Sequence, residues 1–361
     1  MRAGPGQVLA GRYRLTDRPE ALSAHAVDER SGDAVRLRGW ELPASAAGDP
    51  DPESGGPVPG ERLVRRVAAV GASAPRHSRL LQGAGAFVEG ELLWTVEERP
   101  AGRPLAAVLA DGPLPPYRAA EIAADLAGAL RVLHEAGLAH GNVTAGSVLV
   151  CEDGAALLGG LLPGVAEEVL AEELGGPGGR RRYEVRAELV GPVSERWPLD
   201  GGPAGDCWAL GVLLHRMATG RAPYPEGGVP ELVTAVREGR RVPSEACGPL
   251  GPLVERLVQP DPALRPTAAE LRLELAELLA GAPEPVEGER VVRLPEPRPK
   301  GRAARRRGGA VRAGRPVTER EEPAGPDRPP RIPPALLGPL LVGGVFVLLV
   351  LGVAAVVLFA G

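Results

Sequence analysis

The stretch "GDCWALGVLLHRMATGRAPYP", residues 205–225, decides the fold of this chain. We interpret it as one of a series of helices that continues into "DPALRPTAAEL", residues 261–271. Upstream, "EERPAGRPLAAVLADGPLP", residues 97–115, separates this helical part from short apolar segments that are typical of strands. The sequence therefore predicts an α+β fold, in which a small strand-rich lobe precedes a larger helical lobe.

Composition sets the class of the chain. Its 361 residues suffice for one large domain or two lobes, and 44% of them are hydrophobic. A net charge of −4 indicates no general affinity for nucleic acid. The three cysteines are scattered, which excludes a disulfide framework or a zinc site and favours a reduced cytoplasmic domain. The start of the chain has no apolar run and does not resemble a signal peptide.

The C-terminal part predicts a membrane anchor. Residues 335–360 form an uncharged apolar run whose helix would be about 39 Å long, more than the roughly 30 Å of hydrocarbon in a bilayer. Arg298 to Arg315 carries seven arginines, one lysine and no acid, so this flank should stay cytoplasmic. We expect a single-pass protein of the cell membrane, with its folded domain in the cytoplasm.

The segment before this run, residues 281–334, is rich in Pro, Gly, Arg and Glu, and we expect a disordered juxtamembrane linker. Its basic cluster either contacts anionic lipid or is a solvated tether, and both interpretations stay open. The folded domain should cover residues 12–280, with lobes of about 12–98 and 99–280.

Local patterns place several elements within these lobes. We expect one helical stretch near Glu61–Val70 and another over "PYRAAEIAADLAGALRVLHEAG", which ends at Gly137. Two short strands, "SVLVCE" and "AALLG", should flank a Glu-Asp-Gly turn. A loop rich in Gly and Arg is expected to follow them.

Three segments of the chain resemble the bacterial eukaryotic-like Ser/Thr protein kinases. Residues 205–225 are similar to the helix of that family that begins D-x-x-x-L-G-V and runs into T-G-x-x-P-[FY]. Residues 261–271 resemble its last motif, and residues 97–115 resemble its hinge and the helix after it. The resemblance covers about residues 12–280 and implies two lobes with a nucleotide cleft between them.

The resemblance assigns structural roles to four residues of this chain. It implies that Asp206 holds the catalytic-loop backbone from below, and Gly211 belongs to the same helix motif. His140 matches the histidine of H-R-D, and we favour a satisfied buried histidine there. In the family, the arginine matching Arg265 pairs with the glutamate of A-P-E.

That acidic partner is missing from the sequence. The A-P-E motif is replaced by Gly191-Pro192-Val193, which carries no carboxylate, and Glu195 is a candidate substitute.

Phosphoryl transfer depends mainly on positioning and charge stabilisation, and the glycine-rich loop that would supply part of it is missing. No glycine lies between Thr16 and Glu29, where the resemblance places that loop. Side chains at every position keep the backbone amides from approaching phosphate closely, and Pro19 also lacks an amide donor.

The lysine–glutamate pair of the family is missing as well, because residues 1–299 contain no lysine. The strand "GDAVRLRGW" places Arg38 at the lysine position, and a shift of two residues would place Arg36 there. Arg66 aligns with the glutamate of the partner helix. A planar guanidinium does not replace a compact ammonium conservatively, and two arginines cannot form this ion pair.

The catalytic positions themselves carry neutral groups. Asn142 replaces the catalytic base and cannot accept a proton near pH 7. By the resemblance, Thr144 occupies the position of a second lysine of the family, and Ser147 that of its Mg²⁺-binding asparagine. Gly159 occupies the position of the aspartate of D-F-G. No catalytic set is intact, and no metal ligand or nucleotide-binding residue is identified. We therefore expect Asn142→Ala to leave stability nearly unchanged.

Regulation by phosphorylation is also not supported by the sequence. Gly141 replaces the arginine of H-R-D, which in regulated kinases receives a phosphate from the chain's own activation loop. Residues 159–193 contain no Ser or Thr, and Tyr183 carries the only hydroxyl side chain among them.

These observations favour a membrane-anchored pseudokinase that acts as a scaffold or allosteric signalling partner for other proteins. Two alternatives stay open: a Ser/Thr kinase with atypical or residual activity, and a sensor of a nucleotide or another small ligand. No cofactor is expected for the pseudokinase, and ATP with Mg²⁺ is expected only if the kinase alternative holds.

Overall fold

The computed structural model of the chain describes residues 4–20, 22–42, 59–176, 180–189, 196 and 202–282. All of them belong to one compact unit, Met1–Pro297. The predicted membrane helix at 335–360 lies outside the described residues, and so does the predicted linker from residue 283 onward. The replaced A-P-E motif and Glu195 lie outside them too.

A six-stranded antiparallel sheet forms the first lobe. Its strands are β1 (Val8–Leu9), β2 (Tyr13–Leu15), β3 (Ser23–Asp28), β4 (Ala34–Glu41), β5 (Gly83–Glu89) and β6 (Leu92–Glu98). They are ordered β1-β2-β3-β4-β6-β5. A helix, α1 (Pro59–Ser73), lies between β4 and β5 in the chain, and it includes the stretch near Glu61–Val70 that was expected to be helical.

Alternation along β4 explains how the sheet is oriented. Val35 and Leu37 are buried against the apolar cluster that includes Leu15 and Trp94. The side chains between them point to the opposite face, as expected for a strand. That face presents Arg36, and it looks toward the second lobe.

The second lobe is mainly helical. A three-stranded sheet accompanies it, with strands β7 (Arg103–Pro104), β8 (Val148–Val150) and β9 (Ala156–Leu158). The helices are α2 (Leu105–Leu109), α3 (Pro116–Glu135), α4 (Leu161–Gly175), α5 (Arg180–Leu189), α6 (Gly202–Thr219), α7 (Val229–Glu238), α8 (Gly251–Leu257) and α9 (Ala268–Ala280). Short 3₁₀ helices occupy Ser244–Leu250 and Pro262–Leu264.

Local chemistry sets the limits of these helices where the sequence predicted them. Pro116 begins α3, where its missing N–H costs nothing, and Gly137 turns the chain after it at a φ of 74°. Thr267 and Glu270 form a capping box at the start of α9. The predicted strands β8 and β9 are confirmed, and Gly154 turns between them at a φ of 82°.

The predicted loop rich in Gly and Arg is wrong, because the chain forms α4 and α5 there. Pro163 does not prevent the helix, because proline is tolerated in the first turn, where no intrahelical N–H is needed. The following "VAEEVLAEEL" consists almost entirely of good helix formers. Helix α4 buries Leu162, Ala166 and Leu170 in one cluster with α1 and the sheet.

Close packing fixes α6 within the second lobe. Gly211 lies where a Cβ atom would come 2.5 Å from Leu257 Cβ, so a glycine is needed for α6 and α8 to approach each other. The largest core cluster joins α3, α6, α8 and α9 around residues such as Leu130, Leu210 and Leu271. This packing holds the N-terminal half of α6 beneath the loop that precedes β8.

Within the part of the chain that the structure describes, no helix has the length and apolar character needed to cross a membrane.

Candidate functional site

The loop between α3 and β8 is held in place by the carboxylate of Asp206 in α6. Asp206 accepts the backbone N–H of His140 at 2.7 Å and that of Gly141 at 2.8 Å. Its Oδ2 also lies 2.9 Å from Nε2 of His134. Asp206 is 2% exposed, so these contacts compensate the burial of its charge. The geometry is compatible with the bracing role that the resemblance implies.

Two neutral side chains of this loop make hydrogen bonds. His140 is buried, and burial lowers its pKa to about 4, so the ring is uncharged at pH 7. Its Nδ1 accepts the backbone N–H of Asn142 at 3.2 Å. The Asn142 amide donates from Nδ2 to the carbonyl oxygen of Gly160 at 2.9 Å. Asn142 therefore links the loop to the start of α4. The sequence analysis expected no such structural role, because it predicted that Asn142→Ala would leave stability nearly unchanged.

Thr144 and Ser147 bond to each other. Ser147 Oγ accepts the Thr144 N–H at 3.0 Å and donates to the Thr144 carbonyl at 2.9 Å. Thr144 Oγ1 accepts the Ser147 N–H at 3.2 Å. These bonds close a turn, and both hydroxyl groups are hydrogen-bonded to the backbone of the loop.

An arginine crosses the cleft from the first lobe to the second. Arg36 on β4 donates from Nη1 to the carbonyl oxygen of Gly146 at 3.3 Å. Gly146 belongs to the loop before β8, which corresponds to the floor of the nucleotide cleft in the resemblance. Arg36 also faces Glu97 as its cross-strand partner on β6.

The carboxylate of Glu97 makes a second contact across the cleft. Its Oε1 accepts the backbone N–H of Gly160 at 2.5 Å. Glu97 is 4% exposed, and burial raises its pKa to about 7, although the Gly160 N–H and the charge of Arg36 act in the opposite direction. A Cβ atom on Gly159 would lie 3.0 Å from Glu97 Oε2 and 2.8 Å from Leu81 Cδ1. Glycine at 159 therefore leaves room for this carboxylate.

Arg38, at the lysine position of the resemblance, is influenced electrostatically by an acid of α4. Burial lowers the pKa of its guanidinium, and the charge of Glu167 on α4 opposes that shift. The Arg38 guanidinium also lies 5.9 Å from the ring centroid of Trp40. Glu167 is itself buried and bonds to Arg196 at 2.5 Å. An acid of α4, and not one of α1, therefore favours the charged form of Arg38.

Arg66 on α1 is likewise paired with α4. Its guanidinium forms an ion pair with Glu172. One turn earlier on α1, Arg62 pairs with Glu173 at 2.7 Å. These pairs are partly exposed, so each contributes little stability, but they fix which acids face which arginines.

The segment between β2 and β3, where the resemblance expects a glycine-rich loop, is a compact turn. Thr16 N–H donates to the carbonyl of His25, and Glu20 pairs with Ser23. Asp17 accepts the backbone N–H of His25 at 2.8 Å, and its other oxygen lies 2.5 Å from the imidazole Nδ1. The turn therefore carries a carboxylate, whereas a phosphate-binding loop presents amide donors.

Arg265 has carbonyl partners within the described residues. It donates to the backbone oxygens of Gln259, Ala204 and Pro260 at 2.8–3.0 Å. Its guanidinium lies over the indole of Trp208, 4.9 Å from the ring centroid. These contacts hold the segment before α9 against α6.

The fold brings several of the residues singled out from the sequence into contact around the loop before β8 and the start of α4. Asn142 bonds to Gly160, and Gly159 adjoins Glu97. Arg66 pairs with Glu172 on α4, and Arg265 bonds to Ala204 of α6. The sequence reasoning missed two acids, Glu97 and Glu167. The signal for the first was present, because Glu97 follows the apolar run "LLWTV" of a strand that is buried on both faces. The second lay in the segment that was wrongly expected to be a loop.

These side chains do not fit the group that the resemblance implies, magnesium with ATP. Within the described ranges, no group of three or more His, Cys, Asp or Glu side chains is arranged to hold a metal ion. The carboxylate nearest Gly159 is Glu97, which bonds to the backbone and has a raised pKa. Arg36 of the first lobe reaches the loop before β8 in the second lobe, where it bonds to the Gly146 carbonyl. We derive no transfer step through this site.

Comparison with known proteins points to one class of relatives. The chain is 31% identical over 213 residues to the serine/threonine-protein kinase PkaA of Streptomyces coelicolor, covering 57% of this chain and 38% of the relative. It is 31% identical over 193 residues to the serine/threonine-protein kinase AfsK of the same organism, covering 51% and 22%. The testis-specific serine/threonine-protein kinase 3 of Mus musculus is 29% identical over 194 residues, covering 51% and 67%.

No family model matches the chain. The chain spans well under half the length of the two bacterial relatives. The relatives and the α+β architecture with its curled sheet support a protein-kinase-like protein, similar to the Ser/Thr protein kinases.

Proposed function

We propose that this kinase-like chain is a pseudokinase, an adaptor or allosteric signalling partner that does not transfer phosphate. The observation that supports the proposal best is the pair of contacts across the cleft, from Arg36 to the Gly146 carbonyl and from the Gly160 N–H to Glu97. Both contacts join the first lobe to the segments of the second lobe that, by the resemblance, border the nucleotide cleft. The output of such a protein is binding to protein partners.

The charge pattern of the cleft argues against nucleotide binding as well. Magnesium prefers oxygen ligands, and Glu97, the carboxyl beside Gly159, is partly protonated near pH 7 because its pKa is about 7. Asn142 offers an amide donor where a general base is needed. Such a base contributes typically about 10²–10⁴-fold to a rate, so its loss alone is severe.

We predict that millimolar ATP with Mg²⁺ gives no thermal stabilisation of the chain. A ligand at 100 times its dissociation constant stabilises a protein by about 2.7 kcal/mol. For a domain of this size that corresponds to roughly 5 °C, which a thermal melt detects easily. The PkaA kinase domain, tested in parallel, checks the assay.

Two outcomes of this melt would contradict the proposal. A magnesium-dependent shift of several degrees, accompanied by transfer of radiolabelled phosphate to a generic substrate, would favour the Ser/Thr kinase alternative. That alternative has one observation in its favour, since the relatives described above are named kinases. A shift without magnesium would instead favour a nucleotide sensor, with Arg36 or Arg38 contacting phosphate.

We also propose that residues 335–360 anchor the protein in the cell membrane, with the kinase-like domain on the cytoplasmic side. The support is the uncharged apolar run and the basic flank, Arg298 to Arg315. The basic cluster would add attraction to anionic lipid.

We predict that a chain truncated after Ala280 is released from the membrane fraction, because the apolar run supplies the main hydrophobic attachment. The measurement is fractionation of membranes after a high-salt wash. A matched variant keeps residues 335–360 but carries glutamine at the seven arginines of 298–315, and it should stay with the membrane. The anchor proposal fails if the truncated chain stays membrane-bound after the wash.

A further inference from the structure

An arginine and a buried carboxyl group lie opposite each other on two neighbouring strands of the first lobe. Arg36 on β4 and Glu97 on β6 are direct cross-strand partners. The Cβ atoms of such partners are about 4.5–5.5 Å apart, which is well within the reach of an arginine side chain. Glu97 is buried, whereas Arg36 is partly exposed. An ion pair between the two side chains is therefore geometrically possible.

The two side chains nevertheless bond to different partners. Arg36 donates from Nη1 to the carbonyl oxygen of Gly146 at 3.3 Å, and Glu97 Oε1 accepts the backbone N–H of Gly160 at 2.5 Å. Both Arg36 and Glu97 are described residues, and the structure shows no ion pair between them. A carboxylate is a stronger acceptor for a guanidinium than a neutral carbonyl is. The choice that Arg36 makes therefore indicates that the carboxyl group of Glu97 is uncharged in this arrangement.

Burial accounts for an uncharged Glu97. It is the largest effect on this group and raises the pKa of Glu97 to about 7. Arg36 on β4 favours the ionised form, and Glu98, the next residue of β6, opposes it. Glu97 therefore gains and loses its proton near neutral pH, and Arg36 is the cation that acts on it.

The other groups that pack against Glu97 carry no charge. Leu81 lies before β5, and Gly159 and Gly160 lie at the start of α4. His140, which adjoins Gly159, has a pKa of about 4 and stays neutral above pH 5.5. A change in the charge of Glu97 therefore acts mainly on Arg36.

We propose that Arg36 changes its hydrogen-bond partner when Glu97 loses its proton. While Glu97 is neutral, Arg36 bonds to the Gly146 carbonyl across the cleft, as the structure shows. When the proton leaves to water, the carboxylate attracts Arg36, and the guanidinium turns back to its own sheet. The bond that Arg36 makes between the two lobes is then lost. The N–H of Gly160 keeps its acceptor in both forms, and α4 stays in place.

The exchange should take place as the pH rises through about 7. The pKa of Glu97 lies above its ordinary value of 4.5, so the folded protein holds this proton more tightly than the unfolded chain does. The resulting stabilisation is present at low pH and is lost as the pH rises. Between pH 5.5 and pH 8, this group alone should raise the unfolding equilibrium constant about 30-fold. The inference goes beyond the proposed function and does not depend on it, because neither nucleotide nor a partner takes part.

The first test is denaturant unfolding of the full chain in detergent micelles at pH 5.5 and pH 8. Glu97→Gln should lose the 30-fold rise, because glutamine does not titrate. Glu98→Gln is the matched control, because it removes the neighbouring acid of the same strand, and it should keep the rise. A double-mutant cycle of Arg36→Gln and Glu97→Gln should show no coupling at pH 5.5. At pH 8 the coupling should change the unfolding constant about fivefold or more.

The second test is hydrogen exchange of residues 143–148, which contain the Gly146 acceptor. At pH 8 these residues should exchange several-fold faster in the wild type than in Glu97→Gln, where Arg36 keeps its bond across the cleft. At pH 5.5 the two proteins should exchange alike. Comparison at equal pH cancels the intrinsic effect of pH on exchange.

Several results would overturn the inference. Coupling of the same size at both pH values would show that Glu97 is charged throughout, and no coupling at pH 8 would show that Arg36 does not respond. If Glu97→Gln does not fold, Arg36→Gln decides. Its unfolding constant should rise about fivefold more than that of the wild type between pH 5.5 and pH 8, because the buried carboxylate then lacks its cation. An unchanged profile would contradict the exchange. The nucleotide melt is independent, so failure here leaves the pseudokinase proposal standing.

Discussion

Replacing Asp206 by alanine should lower the melting temperature of the chain by at least about 6 °C. The substitution leaves the backbone N–H groups of His140 and Gly141 and the ring nitrogen of His134 without their acceptor. A buried donor without a partner costs about 1–3 kcal/mol, and the bonds lost here involve a charged group. We expect a total loss of about 3–5 kcal/mol, and about 2 °C or more of melting temperature for each kcal/mol.

Three further variants make this result specific. Asp206→Asn keeps one acceptor oxygen and should fall between wild type and Asp206→Ala. Asp111→Ala removes an exposed partner of Arg103 and should change the free energy of unfolding by less than about 1 kcal/mol. Asn142→Ala loses the bond to Gly160 and should cost about 1 kcal/mol. Equal melting temperatures for Asp206→Ala and Asp111→Ala would show that Asp206 is not a brace.

Restoring an aspartate at position 159 should damage the protein and should not revive a metal site. Gly159→Asp places a second carboxylate beside Glu97, whose Oε2 would lie 3.0 Å from the new Cβ, and it also crowds Leu81. An uncompensated buried charge costs about 3–5 kcal/mol. Denaturant unfolding at pH 8, above the Glu97 pKa of about 7, should show this loss.

The loss of unfolding free energy caused by Gly159→Asp should depend on Glu97 and on pH. In the double variant Gly159→Asp with Glu97→Gln, the glutamine still accepts the Gly160 N–H, and most of the lost stability should return. Near pH 5.5 the buried Glu97 is protonated and can donate to the new carboxylate, so the cost of Gly159→Asp should shrink there. Gly146→Asp is the matched control, because its Cβ meets only Thr144 Oγ1 at 3.8 Å. A Gly159→Asp protein that has the melting temperature of the wild type and binds ATP with Mg²⁺ would contradict the pseudokinase proposal.

The sequence predicted those elements whose signals are local. The amphipathic pattern of α3, the glycine after it and the capping box of α9 each act within a few residues. The two strands around Gly154 were predicted for the same reason. Such features survive in a single sequence because they depend on near neighbours along the chain.

The parts that were missed depend on distant neighbours. Helix α4 is stable because Leu162 and Leu170 pack against α1 and the sheet, which outweighs the proline and glycine of its first turn. Glu97 and Gly160 are 63 residues apart, and no spacing rule joins them. The same holds for Asn142, whose replacement of an aspartate suggested a vacated position, although its amide bonds to Gly160 in three dimensions.

Helix α4 also restricts how a cell can control this protein. Four of its side chains, Leu162, Ala166, Val169 and Leu170, share one core with the sheet and α1. Full burial of a leucine or valine is worth about 1.5–3 kcal/mol, so pulling α4 out would consume much of the 5–15 kcal/mol that keeps a typical domain folded. A helix that cannot detach from the core without unfolding the domain cannot act as a reversible conformational switch. For the adaptor role proposed above, we therefore expect the amount of the protein, set by its synthesis and proteolytic turnover, to control the strength of the signal.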